Sequence, residues 1–207
     1  GSEHVPVGMF DVWLESAGAN NNGSTTEDRT NYYEDMPSNA LPLALWLDAD
    51  RMGWLLPTMD LPKVDLQRDV VKNERRQSYD NVPYGRADET ILAALYPSTH
   101  PYSWPVIGSM ADLSAATLDD TKNFFRTYYA PNNATLAIAG DFDPVVAKQL
   151  VEKYFGSIPR GPAVNRRTTV PPVVIPSDKF LVLEDKARAV RLEAIKQGQS
   201  DVAARAR

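Results

Sequence analysis

The chain has 207 residues and a mass of 23.0 kDa, with 43% hydrophobic and 24% charged residues, which excludes wholesale disorder and fibrous architectures. Its 22 Lys and Arg against 27 Asp and Glu give a net charge of −5, the wrong sign for neutralising phosphates over a broad surface. Cysteine is absent, which removes disulfides, thiol nucleophiles and Cys-ligated metals, and with only His4 and His100 no multi-histidine metal site can be drawn from this chain. No apolar run approaches the roughly 18 residues of a membrane span, so no membrane is expected as a partner, and the acidic balance makes nucleic acid an unexpected one. The N-terminal GSEHVPVGMFD lacks the basic and apolar segments of a signal peptide. The composition is compatible with a bacterial periplasm or cytoplasm and does not choose between them.

In chain order, Met9, Phe10, Trp13 and Leu14 fall at helical spacing, with Gly18 as the stop, and predict a short amphipathic helix. The polar, Thr- and Tyr-rich stretch that follows suits two strands joined by a turn near Glu27-Asp28. Ser38 heads a run in which Leu41, Leu45, Trp46, Met52 and Leu55 trace an apolar stripe, the signature of a buried helix. Asp60-Leu61-Pro62 opens a longer charged helix through residue 81. A further helix is expected over Ala87–Tyr96, then a long ordered loop over PSTHPYSWPVIGSM. Thr117 to Asp120 reads as a capping box for a helix that Pro131 ends. ATLAIAGDF is expected as a strand, Asp143-Pro144 as a helix start with Gly156 as its close, and KFLVLED as one more strand beyond a Pro-rich linker. The last 22 residues carry six basic and two acidic side chains, about +4, which leaves about −9 on residues 1–185 and marks 186–207 as a basic helical or disordered tail.

Gln67 and Glu74 lie seven residues apart, nearly two helical turns, and so share a face with Val70 and Val71 between them. That face is expected to pack inward, where a carboxylate is costly unless paired, hydrogen-bonded or bound to a cation. Arg68, Arg75 and Arg76 are near enough in sequence to make Glu74 a structural ion-pair residue, so ligand and ion-pair roles both stand on the residues alone. Asn20 to Thr25 is the second candidate, because small polar side chains on an exposed strand leave backbone groups free to accept a peptide as an added strand. A plain polar turn is the competing reading.

Taken together, AGANNNGSTTEDRTNYYEDMPSNAL, RDVVKNERRQSYDN, HPYSWPVIGS and FFRTYYAPNNATLAIAGDFDP, in that order, resemble the N-terminal half-module of the pitrilysin/insulinase family of zinc metallopeptidases, which includes the mitochondrial processing peptidases. The resemblance covers roughly residues 4–185 as one partial peptidase module. It implies an α+β fold with an antiparallel-rich sheet and helices packed on one face. It also implies zinc held by an inverted H-x-x-E-H motif and a distant Glu, which falls at Glu74. Gln67 stands where the family often has a supporting Glu, and Asn22, Gly23 and Ser24 match the segment that holds substrate backbone beside an edge strand.

No H-x-x-E-H occurs in this chain. By the family's order the motif, with the general-base Glu and two zinc ligands, lies upstream of Gly1. The chain alone is therefore expected to be inactive and to bind zinc weakly, as a fragment of a zinc metalloendopeptidase acting on extended polypeptides. The alternative is a non-catalytic homologue that binds peptides or scaffolds an active partner. A second peptidase module, a partner subunit or a second copy of the chain is expected to cover Trp46, Val70 and Val71.

Overall fold

The structure is a computed structural model that describes residues 1–166, 170, 172–175 and 177–184. Its elements run α1 (Met9–Ser16), β1 (Asn20–Thr25), β2 (Thr30–Asp35), α2 (Leu41–Thr58), α3 (Leu61–Arg75), α4 (Ala87–Leu95), α5 (Met110–Ala115), α6 (Leu118–Tyr128) and α7 (Pro144–Phe155). This is the expected α+β class, helix-rich, with one antiparallel two-stranded sheet among the described residues. The backbone divides into two units, Gly1–Gln67 with Ala115–Thr168, and Arg68–Ser114 with Thr169–Arg207. The basic tail 186–207 lies outside the described residues.

In the first unit the core gathers on α2. Val5, Leu14, Ala19, Ala44 and Leu47 form its buried centre, flanked by Met9, Phe10, Trp13, Met36, Leu43 and Trp46. Leu14 and Leu47 are fully buried, and the Trp13 and Trp46 rings lie 5.8 Å apart. Helices α1, α6 and α7 all contact α2, so its burial spreads past the single stripe of the sequence pattern to Ala49 and Asp50. Asp50 is 2% exposed, and a carboxylate that deep needs donors. Ser2 Oγ donates to Asp50 Oδ2, and His4 Nδ1 lies 2.5 Å from Oδ1, which fastens the N-terminal segment to α2.

Local chemistry fixes the element ends. Gly18 takes φ +78° after α1, in the left-handed region that glycine enters without steric cost. Thr26 N–H donates to Arg29 C=O at 2.8 Å and closes the hairpin turn around Glu27-Asp28. Thr117 and Asp120 exchange backbone and side-chain bonds in a capping box at α6, and Asp143 Oδ1 accepts from the Val145 and Val146 N–H groups at the start of α7. Gly156 closes α7 with a helical φ of −62°, so its backbone freedom is not what that position uses.

In the second unit α3 passes at Arg75 into a π-helical turn, Arg76–Asp80, and α4 and α5 follow around the Pro-rich loop. Tyr96, His100 and Tyr102 form a ring cluster within that loop, and His100 Nδ1 accepts from the Tyr102 N–H at 3.0 Å.

Two expected strands are absent. Residues 134–142 and 179–184 form no ladder, because no described segment pairs with them. Extended backbone without a neighbour satisfies no ladder hydrogen bonds and leaves its apolar side chains open, with Leu136 45% and Phe180 91% exposed. The face of α3 expected to pack inward is likewise open: Val70 is 51% exposed, and Gln67 and Glu74 are exposed beside it in the helical repeat. The buried side chain of that turn is Arg75.

Truncating Leu47 to Ala removes contacts from the centre of the first unit and is expected to cost about 2–5 kcal/mol. Equilibrium urea unfolding followed by tryptophan fluorescence measures it, and a loss below about 1 kcal/mol would show that α2 is not the packing centre.

Candidate functional site

The β1–β2 hairpin brings Asn22, Gly23 and Ser24 together at a free sheet edge. Asn22 lies opposite Tyr33, Gly23 opposite Tyr32 and Ser24 opposite Asn31. Antiparallel ladders alternate between pairs that exchange hydrogen bonds and pairs that do not. Counting back from the bonded Thr26–Arg29 pair, the backbone groups of Thr25, Gly23 and Asn21 point away from β2. Consistent with this, the Gly23 N–H is taken by Asn22's own side chain, donating to Oδ1 at 2.7 Å. Asn22, Gly23, Ser24 and Thr25 are exposed, and Asn21 is half-buried. The outer edge of β1 thus offers backbone donors and acceptors at alternate residues behind small polar side chains.

A side chain at Gly23 would be crowded by what lies over it. A Cβ there would sit 3.3 Å from both the Tyr32 ring and the Asn31 carbonyl oxygen. Arg51 stacks its guanidinium 3.9 Å from the centre of the same Tyr32 ring and pairs with Asp48 one turn earlier on α2. The Tyr32 hydroxyl meets that of Tyr129 at 2.8 Å, and burial holds its pKa above the ordinary phenol value. Asn21 Nδ2 donates to Asp11 Oδ1 at 2.7 Å, which ties β1 to α1. Burial first, and then the neighbouring Asp48 charge, push the Glu34 carboxyl up to about 7, and Glu34 hydrogen-bonds Asp48, itself raised by burial against the pull of Arg51. This brace of Tyr32, Glu34, Asp48 and Arg51 was not read from the sequence. Its one legible signal is the placement of Asp48, Asp50 and Arg51 inside an apolar helical run.

Gln67 and Glu74 lie on α3, in different backbone units, and both are exposed. Two of the three arginines expected as Glu74's ion-pair partners, Arg75 and Arg76, are engaged elsewhere. Arg75 is buried, donating to the Gly108 carbonyl at 2.6 Å and to Glu89 at 3.0 and 3.2 Å, with Asp80 at 3.8 Å. Arg76 donates to Asn73 Oδ1 at 2.7 Å. The Arg75 anchorage holds the last turn of α3 while Glu74 faces outward. Among the described residues no three His, Asp or Glu side chains gather as a metal site requires. Glu74 offers one carboxylate where zinc takes at least three protein donors, so the residues present do not by themselves fit a zinc ion.

Replacing Gly23 with Val drives a branched side chain into the Tyr32 ring and the Asn31 carbonyl, and is expected to splay the hairpin. Loss of hydrogen-exchange protection confined to residues 20–35 would confirm it; unchanged protection would show that Tyr32 yields freely.

A family model described as the Peptidase M16 inactive domain matches residues 115–200. The zinc protease PqqE of Helicobacter pylori is 35% identical over 159 residues, 76% of this chain and 35% of that protein. The crystal structure of a protease from Helicobacter pylori is similar with a TM-score of 0.74 at 31% identity, covering 84% of this chain and 40% of the other. The crystal structure of pitrilysin, with a TM-score of 0.64 at 24% identity over 84% of this chain and 19% of its own, shows likeness of fold alone. The chain spans about a third of the length of the curated relatives it matches. The names of these relatives agree with the family indicated by the ordered sequence motifs, and the chain belongs to the pitrilysin/insulinase-type, M16 family of zinc peptidases.

Proposed function

We propose that these 207 residues are part of a zinc-dependent metalloendopeptidase that captures extended polypeptides by strand addition at the outer edge of β1. The observation that carries the reading is that edge: Asn21, Gly23 and Thr25 turn their backbone groups away from β2, and the exposed side chains of Asn22, Ser24 and Thr25 are small enough to let another backbone approach. A polypeptide laid beside β1 exchanges main-chain hydrogen bonds with these residues, and its carbonyl replaces Asn22 Oδ1 on the Gly23 N–H. The released Asn22 amide is then available to the added strand. Main-chain recognition of this kind binds many sequences and orients each one, leaving side-chain pockets to set the preference.

In this reading Glu74 supplies one zinc ligand in the longer polypeptide, and an H-x-x-E-H segment preceding Gly1 supplies the other two together with the general base. Gln67, where the family often has a Glu, is a neutral amide and would support the site less strongly than a carboxylate. The polypeptide substrate and a second peptidase module are the expected partners.

A second reading, a non-catalytic homologue that binds polypeptides or scaffolds an active partner, is favoured by the match of residues 115–200 to a domain described as inactive. The two readings separate on metal binding in the full gene product. The 207-residue chain alone is expected to show no zinc binding tighter than micromolar by calorimetry, unchanged in Glu74→Gln. The same substitution in a product containing H-x-x-E-H is expected to weaken zinc at least tenfold. Equal zinc affinity with and without Glu74 in that product would remove Glu74 from the site, and absence of the motif from the gene would favour the non-catalytic reading. For the edge, Gly23→Val is expected to weaken binding of an unfolded polypeptide such as β-casein about tenfold, and unchanged affinity would exclude strand addition at β1.

A further inference from the structure

The hairpin that carries the β1 edge meets α2 through one polar cluster, and its charges do not balance. Arg51 is the cation, stacked on Tyr32 and paired with Asp48. Glu34, on the same face of β2 as Tyr32 and opposite Asn21, adds a second carboxyl hydrogen-bonded to Asp48. With both carboxyls ionised, two negative charges share one guanidinium in a partly dehydrated contact, which is repulsive. With a proton on Glu34, its O–H donates to the Asp48 carboxylate, and one anion faces one cation. Among the other charged and titratable groups on the packed elements, Tyr32 is engaged with Tyr129, Asp50 of α2 with Ser2 and His4, and Asp11 of α1 with Asn21, while Glu15 of α1 and Asp35 of β2 are exposed carboxylates.

We propose that Glu34 is a proton-operated latch that fastens the β1–β2 hairpin to α2 through Asp48 and loosens it when ionised, so that polypeptide capture at the β1 edge weakens as pH rises. The regulation of capture rests on the strand-addition reading above; the latch itself does not.

The sign follows from the direction of the shift. Glu34 is held at about 7 in the docked hairpin against an ordinary value of 4.5, so the docked form binds the extra proton. Docking is strongest below the ordinary value, is lost progressively as pH rises through the docked value, and is flat above it. One linked proton limits the slope to about tenfold per pH unit, and solvent access to Glu34 lowers it.

The test uses the 207-residue chain labelled with carbon-13 and nitrogen-15. The Glu34 side-chain carboxyl resonance is followed with pH, together with amide exchange of residues 20–35 corrected for intrinsic rates. Glu34 is expected to titrate near neutrality, with hairpin protection falling at least about threefold between pH 5 and 7.5 while α7 holds. Glu34→Gln is expected to hold hairpin protection level across the same range. Titration of Glu34 near its ordinary value, or an undiminished fall in Glu34→Gln, would overturn the latch. The wild-type carboxyl titration decides the matter even if the variant folds poorly.

Binding of dye-labelled β-casein at the same pH values separates the latch from the reading beneath it. Weaker binding at pH 7.5 than at pH 5, abolished as a trend by Glu34→Gln, supports regulated capture. A latch that titrates without any casein binding would overturn strand addition and the regulation built on it, leaving the latch in place. Casein binding that ignores pH, with Glu34 titrating low, would overturn the latch and leave strand addition standing.

Discussion

Three charged side chains in the middle of a buried helix govern the first unit. Helix α2 must be apolar enough to sit among α1, α6 and α7, yet it carries Asp48, Asp50 and Arg51 at its centre. An unpaired charge there would be costly, so each recruits a partner from outside the helix. Asp50 takes Ser2 and His4 and so fixes the start of the chain. Asp48 and Arg51 take Glu34 and Tyr32 and so fix the hairpin. The apolar core holds the helices together, and these polar contacts determine where the non-helical parts attach.

The exposed edge and its support are therefore one structure. Tyr32 lies over the space a side chain at Gly23 would occupy, and the Arg51 guanidinium of α2 stacks on the Tyr32 ring. In the second unit a single residue performs a comparable task. The Arg75 guanidinium joins the end of α3 to α4 through Glu89 and to the loop before α5 through Gly108, so the turn bearing Glu74 is anchored from beneath while its carboxylate stays in water.

Where local chemistry decides the outcome, the sequence was legible. The Thr117–Asp120 box, the Asp143-Pro144 start and the turn near Glu27-Asp28 depend on neighbours within a few residues, and each formed as read. Strands are different, because ATLAIAGDF and KFLVLE have the pattern of strands but need a partner that no described segment provides. The face of Glu74 failed for a related reason: periodicity tells which residues share a side of α3, and only tertiary packing tells whether that side is covered. Arg75 was invisible on hydrophobicity, since a buried guanidinium reads as surface until Glu89 and Gly108 are brought to it. The strand carrying Asn22, Gly23 and Ser24 was legible from its small polar residues, while its brace was not, because Tyr32, Glu34, Asp48 and Arg51 come from two elements.

The π-helical turn at Arg76–Asp80 bears on how this region tolerates change in length. A π turn holds one more residue than the α-helical turn it replaces. Deleting a residue within it lets the backbone relax into an ordinary α turn, with α3 upstream undisturbed. The same deletion before Glu74 would rotate that side chain by about 100° around the helix and bring a different residue to the Arg75 anchorage. A one-residue deletion is thus absorbed downstream of Arg75 and turns the helix face upstream of it, so the turn acts as an expansion joint placed just past the Arg75 anchorage.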